Sequence, residues 1–242
     1  MTGGGFRSPS TIIFSAVRQH PGVLELFLQA VSDQGAVVWV YDDNTDPASS
    51  RQLQQADVEI LPAVDLPAGG YARSEETHQW TDGAVRRVAA IKNHAIALFL
   101  QSRHERLLLV DSDVLLPVGG LAHLEETAVP IVAAIYWTRW HPGTAPLPNA
   151  FPITSGLLSD LRNPGHWPVD GLGACTLIGR RVLEQVQFTV VPHLATEGED
   201  RWFCWRCHQA GIPLTACTHI EPFHVYRDSD LASAVEWMRE RK

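Results

Sequence analysis

The chain has 242 residues and a formal net charge of −8, from 27 acidic and 19 basic side chains, with a pI near 5.7. That length suits one α/β unit with an inserted or appended segment, and the acidic balance argues against a nucleic-acid binder, which needs a basic stripe to meet phosphates. No stretch approaches the roughly 20 apolar residues of a spanning helix, and Met1 to Ser10 lacks the apolar core of a secretory signal. A cytoplasmic protein with no transmembrane segment is therefore expected, although docking on a membrane surface leaves little trace in sequence.

Strand and helix patterns alternate through the first half. Thr11 to Val17 is a β-branched run, after which Pro21-Gly22 opens an amphipathic helix over Val23 to Val31. Ala36 to Tyr41 reads as a second strand ending in Asp42-Asp43-Asn44. Pro47 to Glu76 is polar and loop-like, with Val58 to Leu61 a candidate third strand closed by Pro62, Pro67 and Gly69-Gly70. From Asp82 to His104 the spacing is helical, with Val85, Val88, Ile91, Ala95, Leu98 and Phe99 on one face. That helix feeds the strand Leu107 to Val110. Alternation of this kind favours a mostly parallel central sheet flanked by helices, a Rossmann-like α/β fold. Arg18, Asp42, Asp43, Asp111 and Asp113 would then converge on one sheet edge.

The second half is less regular. Ile131 to Trp137 reads as a strand, and Thr138 to Pro168 carries six prolines, which predicts a long loop of the kind reserved for function or disorder. Gly171-Leu172-Gly173-Ala174 leads into a strand over Cys175 to Ile178 and a helix from Arg180 to Val186. Glu199-Asp200 opens a helix to Gln209 that stops at Gly211, and Pro213 to Cys217 is a last strand before His224. Cys204-Trp205-Arg206-Cys207-His208 matches a haem-attachment spacing, but its helical setting and the absence of a second Cys-x-x-Cys favour reduced core cysteines over haem or zinc.

The densest signal is Leu107-Leu108-Leu109-Val110-Asp111-Ser112-Asp113. A buried strand ending in Asp-x-Asp places two carboxylates at the carboxyl edge of the sheet, where open α/β folds bind ligands. Such a pair repels unless a cation lies between its members, and Mg²⁺ or Mn²⁺ binds through one or two carboxylates plus substrate phosphates. The same composition also suits a solvated turn or N-cap.

Taken in order, Phe14 to Arg18, Tyr41 to Asn44, Lys92-Asn93, Asp111-Ser112-Asp113, Gly171 to Ile178, Gly198-Glu199-Asp200 and His224 resemble nucleotide-sugar-dependent glycosyltransferases of the GT-A fold, especially the family 2-like group. The resemblance spans most of the chain. It implies one domain, residues 1–118 binding nucleotide and 119–242 binding acceptor. It implies Mn²⁺ or Mg²⁺ held by Asp111, Asp113 and His224. Val17, Arg18, Asp43, Lys92, Asn93, Asp111 and Ser112 would meet a UDP- or GDP-type sugar donor, and Asp200, beside Glu199, would be the general base of an inverting transfer to an acceptor hydroxyl. Gly171 and Gly173 would permit close approach to the sugar, with Trp137 and Trp202 as stacking platforms and Trp140 and Trp167 as further candidates. Structural readings compete at each position: a turn cap for Asp43, an exposed helix face for Lys92, a first-turn acid for Asp200, a loop histidine for His224. A retaining transferase, a non-catalytic nucleotide-sugar binder and a metal-dependent phosphohydrolase stay open. A sugar nucleotidyltransferase fits poorly, because Arg18-Gln19-His20-Pro21-Gly22 is not a glycine-rich phosphate loop.

Overall fold

The computed structural model describes residues 10–72, 74–76, 78–194 and 198–240, so the glycine-rich start read above lies outside the described residues. In chain order the main elements are β1 (Thr11–Val17), α1 (Pro21–Ser32), β2 (Val37–Asp42), α2 (Pro47–Gln55), β3 (Glu59–Ile60), α3 (Asp82–Gln101), β4 (Arg106–Leu109), α4 (Gly120–Glu126), β5 (Ile131–Ala134), α5 (Ser155–Asp160), β6 (His166–Val169), β7 (Thr176–Gly179), α6 (Arg180–Leu183), α7 (Glu199–Gln209), β8 (Leu214–Cys217) and α8 (Leu231–Glu240). Eight strands form one sheet in the order β6-β8-β5-β7-β4-β1-β2-β3. β1 pairs in parallel with β2 (Ile13 opposite Val38) and with β4 (Ile13 opposite Leu108). β7 runs antiparallel between β4 and β5, and β6 runs antiparallel to β8. The sheet is thus mostly parallel, as the alternating pattern predicts, with two reversed strands in its second half.

Burial explains the strand sequences. Ile12, Ile13, Phe14, Leu107 and Leu108 are essentially inaccessible, because helices cover both sheet faces and a doubly covered strand needs apolar residues on both sides. One core layer joins Phe14, Leu109 and Ile131 to Ile91 and Phe99 of α3; the other joins Ile13, Leu108 and Val132 to Phe27 of α1. Burying a side chain of that size contributes about 1.5 to 3 kcal/mol.

Helix ends follow local chemistry. Thr81 caps α3 by accepting from Ala84 N–H at 3.2 Å, and Asp46 caps α2 by accepting from Ala48 N–H at 2.9 Å; loss of either cap costs about 1 kcal/mol. α2 lies where a loop is expected, because it buries only Ser49 and Leu53 and leaves no apolar stripe to read. The expected loop over Thr138 to Pro168 also holds structure: α5, the start of β6, and short antiparallel pairs joining Trp137–Thr138 to Leu147–Pro148 and Ala150–Phe151 to Gly171–Leu172. Cys204 and Cys207 sit buried in α7 as free thiols, pushed up to about 12 by burial, so they are inert core residues. Among the described residues no helix is long and apolar enough to cross a membrane.

Candidate active site

The carboxyl ends of β1, β2 and β4 bring Arg18, Gln19, Asp43 and Asp111 to Asp113 to one edge, where the start of α7 adds Glu199 and Asp200. Two contiguous clefts of about 370 and 400 Å³ meet there, and both are lined by Asp111, Asp113, Glu199, Asp200, Trp80 and Trp140. The first extends over Arg18, Gln19, Asp43, Arg87 and Ser112. The second extends over Tyr136, Asn149, Gly173 and His224.

Asp113 and His224 face each other, with Nε2 3.6 Å from Oδ1. The backbone fixes this approach, since Val225 N–H donates to the Asp113 carbonyl at 2.8 Å and His224 pairs with Val114 across a short antiparallel bridge. On the other side of the ring, His224 Nδ1 lies 2.7 Å from the Thr138 hydroxyl. When Nδ1 donates to that hydroxyl, the Nε2 lone pair is left facing Asp113, an orientation suited to a metal ligand. Two carboxylates and one imidazole form a donor set that fits Mn²⁺ well and Mg²⁺ acceptably. Gln19 adds a long contact to Asp113 Oδ2 at 3.4 Å.

Asp111 opens into the cleft by surface area, yet protein encloses the cleft floor around it. That enclosure pushes its carboxyl up to about 7, with Asp113 and Asp200 adding to the effect and Lys92 opposing it. Tyr136 is likewise held in its neutral form by burial next to these acids.

Lys92 is the unexpected element. It sits on the buried face of α3, 6% exposed at the side chain, and its Nζ donates at 2.8 Å both to Glu199 Oε1 and to Asp200 Oδ1. Burial pulls the Lys92 ammonium downward, but Asp200, Glu199 and Asp111 outweigh it and hold its pKa well above the usual range. Asp200 is raised by burial, with Lys92 opposing. Its side chain keeps 28% exposure toward the clefts.

At the far end of the first cleft, Asp43 is nearly buried between two guanidiniums. Arg87 Nε donates to Oδ1 at 2.9 Å, and Arg18 Nη1 is 3.7 Å from Oδ2. Asn44 joins the ends of β1 and β2 by accepting from Gln19 N–H at 2.8 Å and donating to Asp42 at 2.8 Å.

Several expected site residues are elsewhere. The Val17 side chain is fully buried, and its carbonyl accepts from Asp43 N–H at 2.9 Å. Asn93 points to Phe188, donating to its carbonyl at 3.0 Å and accepting from its N–H at 2.9 Å, so it docks α3 rather than facing the cleft. Trp202 is inaccessible, with Nε1 donating to the Leu194 carbonyl at 2.7 Å, and so offers no platform. Trp137 stacks under Arg162 and lines a separate recess with Pro146, Thr218 and Glu221. The absent side chain of Gly171 accommodates the Phe151 ring, which a Cβ there would meet at 1.8 Å. Trp167 donates to Asn163 and Thr218 in the β6 region.

Conversely, Arg87, Trp80, Thr138 and Asn149 were not marked by the sequence. Asn149 is buried and spans Tyr136 N–H, the Ala134 carbonyl and the Ala174 carbonyl at 2.9 to 3.2 Å, holding the floor of the second cleft. Arg87 had one readable signal, a cation on α3 five residues before Lys92; the others depend on contacts distant in sequence.

No protein-family model matches the chain, and no curated protein matches it. Solved structures do. GalNAc-T7 with UDP, GalNAc and Mn²⁺ aligns with a TM-score of 0.54 at 12% identity, over 90% of this chain and 43% of that one. A mannosyltransferase, PcManGT from Pyrobaculum calidifontis, in complex with GDP-Man and Mn²⁺, aligns with a TM-score of 0.54 at 13% identity, over 98% of this chain and 63% of that one. The chain thus spans less than two thirds of either neighbour. At such identities the likeness is one of architecture: this chain has the mixed α/β fold, with a large mostly parallel sheet, of GT-A glycosyltransferases.

Proposed function

We propose that the chain is a divalent-metal-dependent glycosyltransferase that moves a sugar from a UDP- or GDP-type donor to an acceptor hydroxyl with inversion. The observation that carries this reading is the convergence of Asp111, Asp113 and Asp200 on the wall shared by two contiguous clefts, with His224 facing Asp113 in the second. Residues 1–118 form most of the nucleotide side, with Arg18, Asp43, Arg87 and Ser112 along it and Trp80 and Trp140 at the junction. Residues 119–242 form most of the acceptor side.

Asp111, Asp113 and His224 would hold Mn²⁺ or Mg²⁺, which when bound would offset the charge that gathers on a departing diphosphate. Asp200 is the general base. Its Oδ1 stays on Lys92 Nζ, while Oδ2 receives the acceptor hydroxyl proton as that oxygen attacks the anomeric carbon. Glu199 shares Lys92 and keeps the ammonium in place. A Cβ at Gly173 would lie 3.9 Å from Asp200 Oδ2, so the glycine leaves room for an acceptor beside that carboxylate. Holding donor and acceptor in adjoining clefts supplies the alignment part of the rate. The ligands named for the two structural neighbours, UDP with GalNAc and GDP-Man, each with Mn²⁺, support this donor class.

One observation favours a retaining course instead. Lys92 holds one Asp200 oxygen and opposes the rise that burial gives this carboxyl, so it works against the basicity that an inverting transfer needs. The anomeric configuration of the first product, read by NMR, decides between the two.

The test is calorimetric titration of UDP, GDP and their sugars with Mn²⁺, Mg²⁺ or EDTA, in the native chain and in Asp113→Ala. Binding of one nucleotide that needs metal and disappears in Asp113→Ala supports the assignment. No binding under any condition removes it.

A further inference from the structure

A second cluster of ligating side chains lies apart from the clefts. His123 of α4, His166 at the start of β6 and His219 just after β8 come from distant parts of the chain, yet each offers a ligand atom within 4.8 Å of the others. Among the described residues this is the single group of three or more His, Cys, Asp or Glu side chains that closes so tightly. Asp111, Asp113 and His224 are more open as they stand.

The surroundings hold the three rings in place. His166 pairs with Cys217 in the β6–β8 ladder. The Thr218 N–H and hydroxyl engage the Gly165 and Asn163 carbonyls at 3.0 and 2.6 Å, so the segments carrying His166 and His219 are tied together. The ring centroids of His123 and His166 lie 5.3 and 5.0 Å from that of His219, tilted by 56° and 55°. The rings are thus tilted rather than stacked, with one nitrogen of each inside the 4.8 Å cluster. Thr127, just beyond α4, sits 3.0 Å from His166 Nε2. It accepts from that nitrogen in the tautomer that frees Nδ1, which is the outer partner a ligating imidazole commonly has. Glu126 places a carboxylate 3.9 Å from His123 Nδ1.

We propose that His123, His166 and His219 bind a late first-row divalent metal, Zn²⁺ in particular, with water in the fourth position. Three neutral imidazoles with no carboxylate among them select Zn²⁺, Co²⁺ or Ni²⁺ over Mg²⁺ and Mn²⁺. The site is therefore chemically distinct from the carboxylate-rich pair in the clefts. The ion clips α4 to the edge strand β6 and to the turn after β8, closing loops between positions 123, 166 and 219. This inference is independent of the glycosyltransferase reading.

The test is Co²⁺ titration followed by visible absorption, with Zn²⁺ affinity from competition against a chromophoric chelator. The native chain, His166→Gln and His219→Gln are compared in an Asp113→Ala background, so that the cleft does not compete for metal. One equivalent of Co²⁺ with an intense four-coordinate spectrum is expected, lost in both histidine variants. Zn²⁺ affinity should fall at least about tenfold in each, the lower bound set by losing an outer partner alone. Both substituted rings are exposed, and thermal melts without metal should coincide. Zn²⁺ should raise the melting temperature only where all three histidines are present. An unchanged spectrum and affinity in the two variants, or no binding to the intact triad, would overturn the proposal.

Discussion

Two carboxylate pairs face the same cavity and are treated oppositely by the fold. Glu199 and Asp200 receive a cation from within, because Lys92 reaches up from the core and donates 2.8 Å hydrogen bonds to both. Among the described residues Asp111 has no such cation bonded to its carboxyl, and burial, with the neighbouring acids adding to it against Lys92, raises that carboxyl to about 7. Asp113 meets an imidazole and a distant amide. One pair thus has an internal cation, and under the proposed function the other is completed by a cation from outside. In that proposal the first pair supplies the base and the second grips a removable ion.

The contrast can be broken most severely at the proposed base. Asp200→Asn keeps the shape of the site and an acceptor for Lys92, so nucleotide binding should persist while transfer drops by roughly 10²- to 10⁴-fold, measured as kcat with saturating donor. Lys92→Met should damage folding instead. It leaves two semi-buried carboxylates without their cation, and a loss of about 3 to 5 kcal/mol is expected in urea unfolding. A loss under 1 kcal/mol would mean that the internal cation is dispensable.

The outer pair responds to its supports. Thr138→Val removes the hydroxyl beside His224 Nδ1 and should weaken Mn²⁺ binding by about 10- to 100-fold with little change in melting temperature. The smallest expected effect is on pH. Because the Asp111 carboxyl is raised, the metal-free site is protonated below about 7, and binding must displace that proton. Mn²⁺ affinity should fall by no more than about tenfold per pH unit below 7 and level off above it. Affinity flat between pH 5.5 and 8 would show that Asp111 takes no part.

The asymmetry was only half legible in the amino-acid sequence. Asp111-Ser112-Asp113 announces itself because a strand of Leu and Val must end at the sheet edge, and its position follows from local pattern alone. Lys92 has no such signal. On a helical wheel it belongs to an exposed stripe as readily as to a buried one, and only its distant partners Glu199 and Asp200, 107 and 108 positions away, decide. The same limit explains Trp202 and Trp137, where residue type suggested a sugar platform but packing of α7 and Arg162 assigned them to the core and to another recess. α2 was missed for a simpler reason: a helix that buries two residues leaves almost no periodicity.

The reversed strand β7 has an effect on what this cavity can admit. Its parallel neighbours deliver side chains from their carboxyl ends, but β7 arrives from the opposite direction, so its amino-terminal approach, Gly173 and Ala174, borders the space next to Asp200. What stands there is main chain. A methyl group added at 173 would sit 3.3 Å from the Asn149 Cβ and 3.9 Å from Asp200 Oδ2, consuming room without offering a new contact. That wall therefore acts as a gauge of size, and its setting is fixed by the direction in which one strand runs.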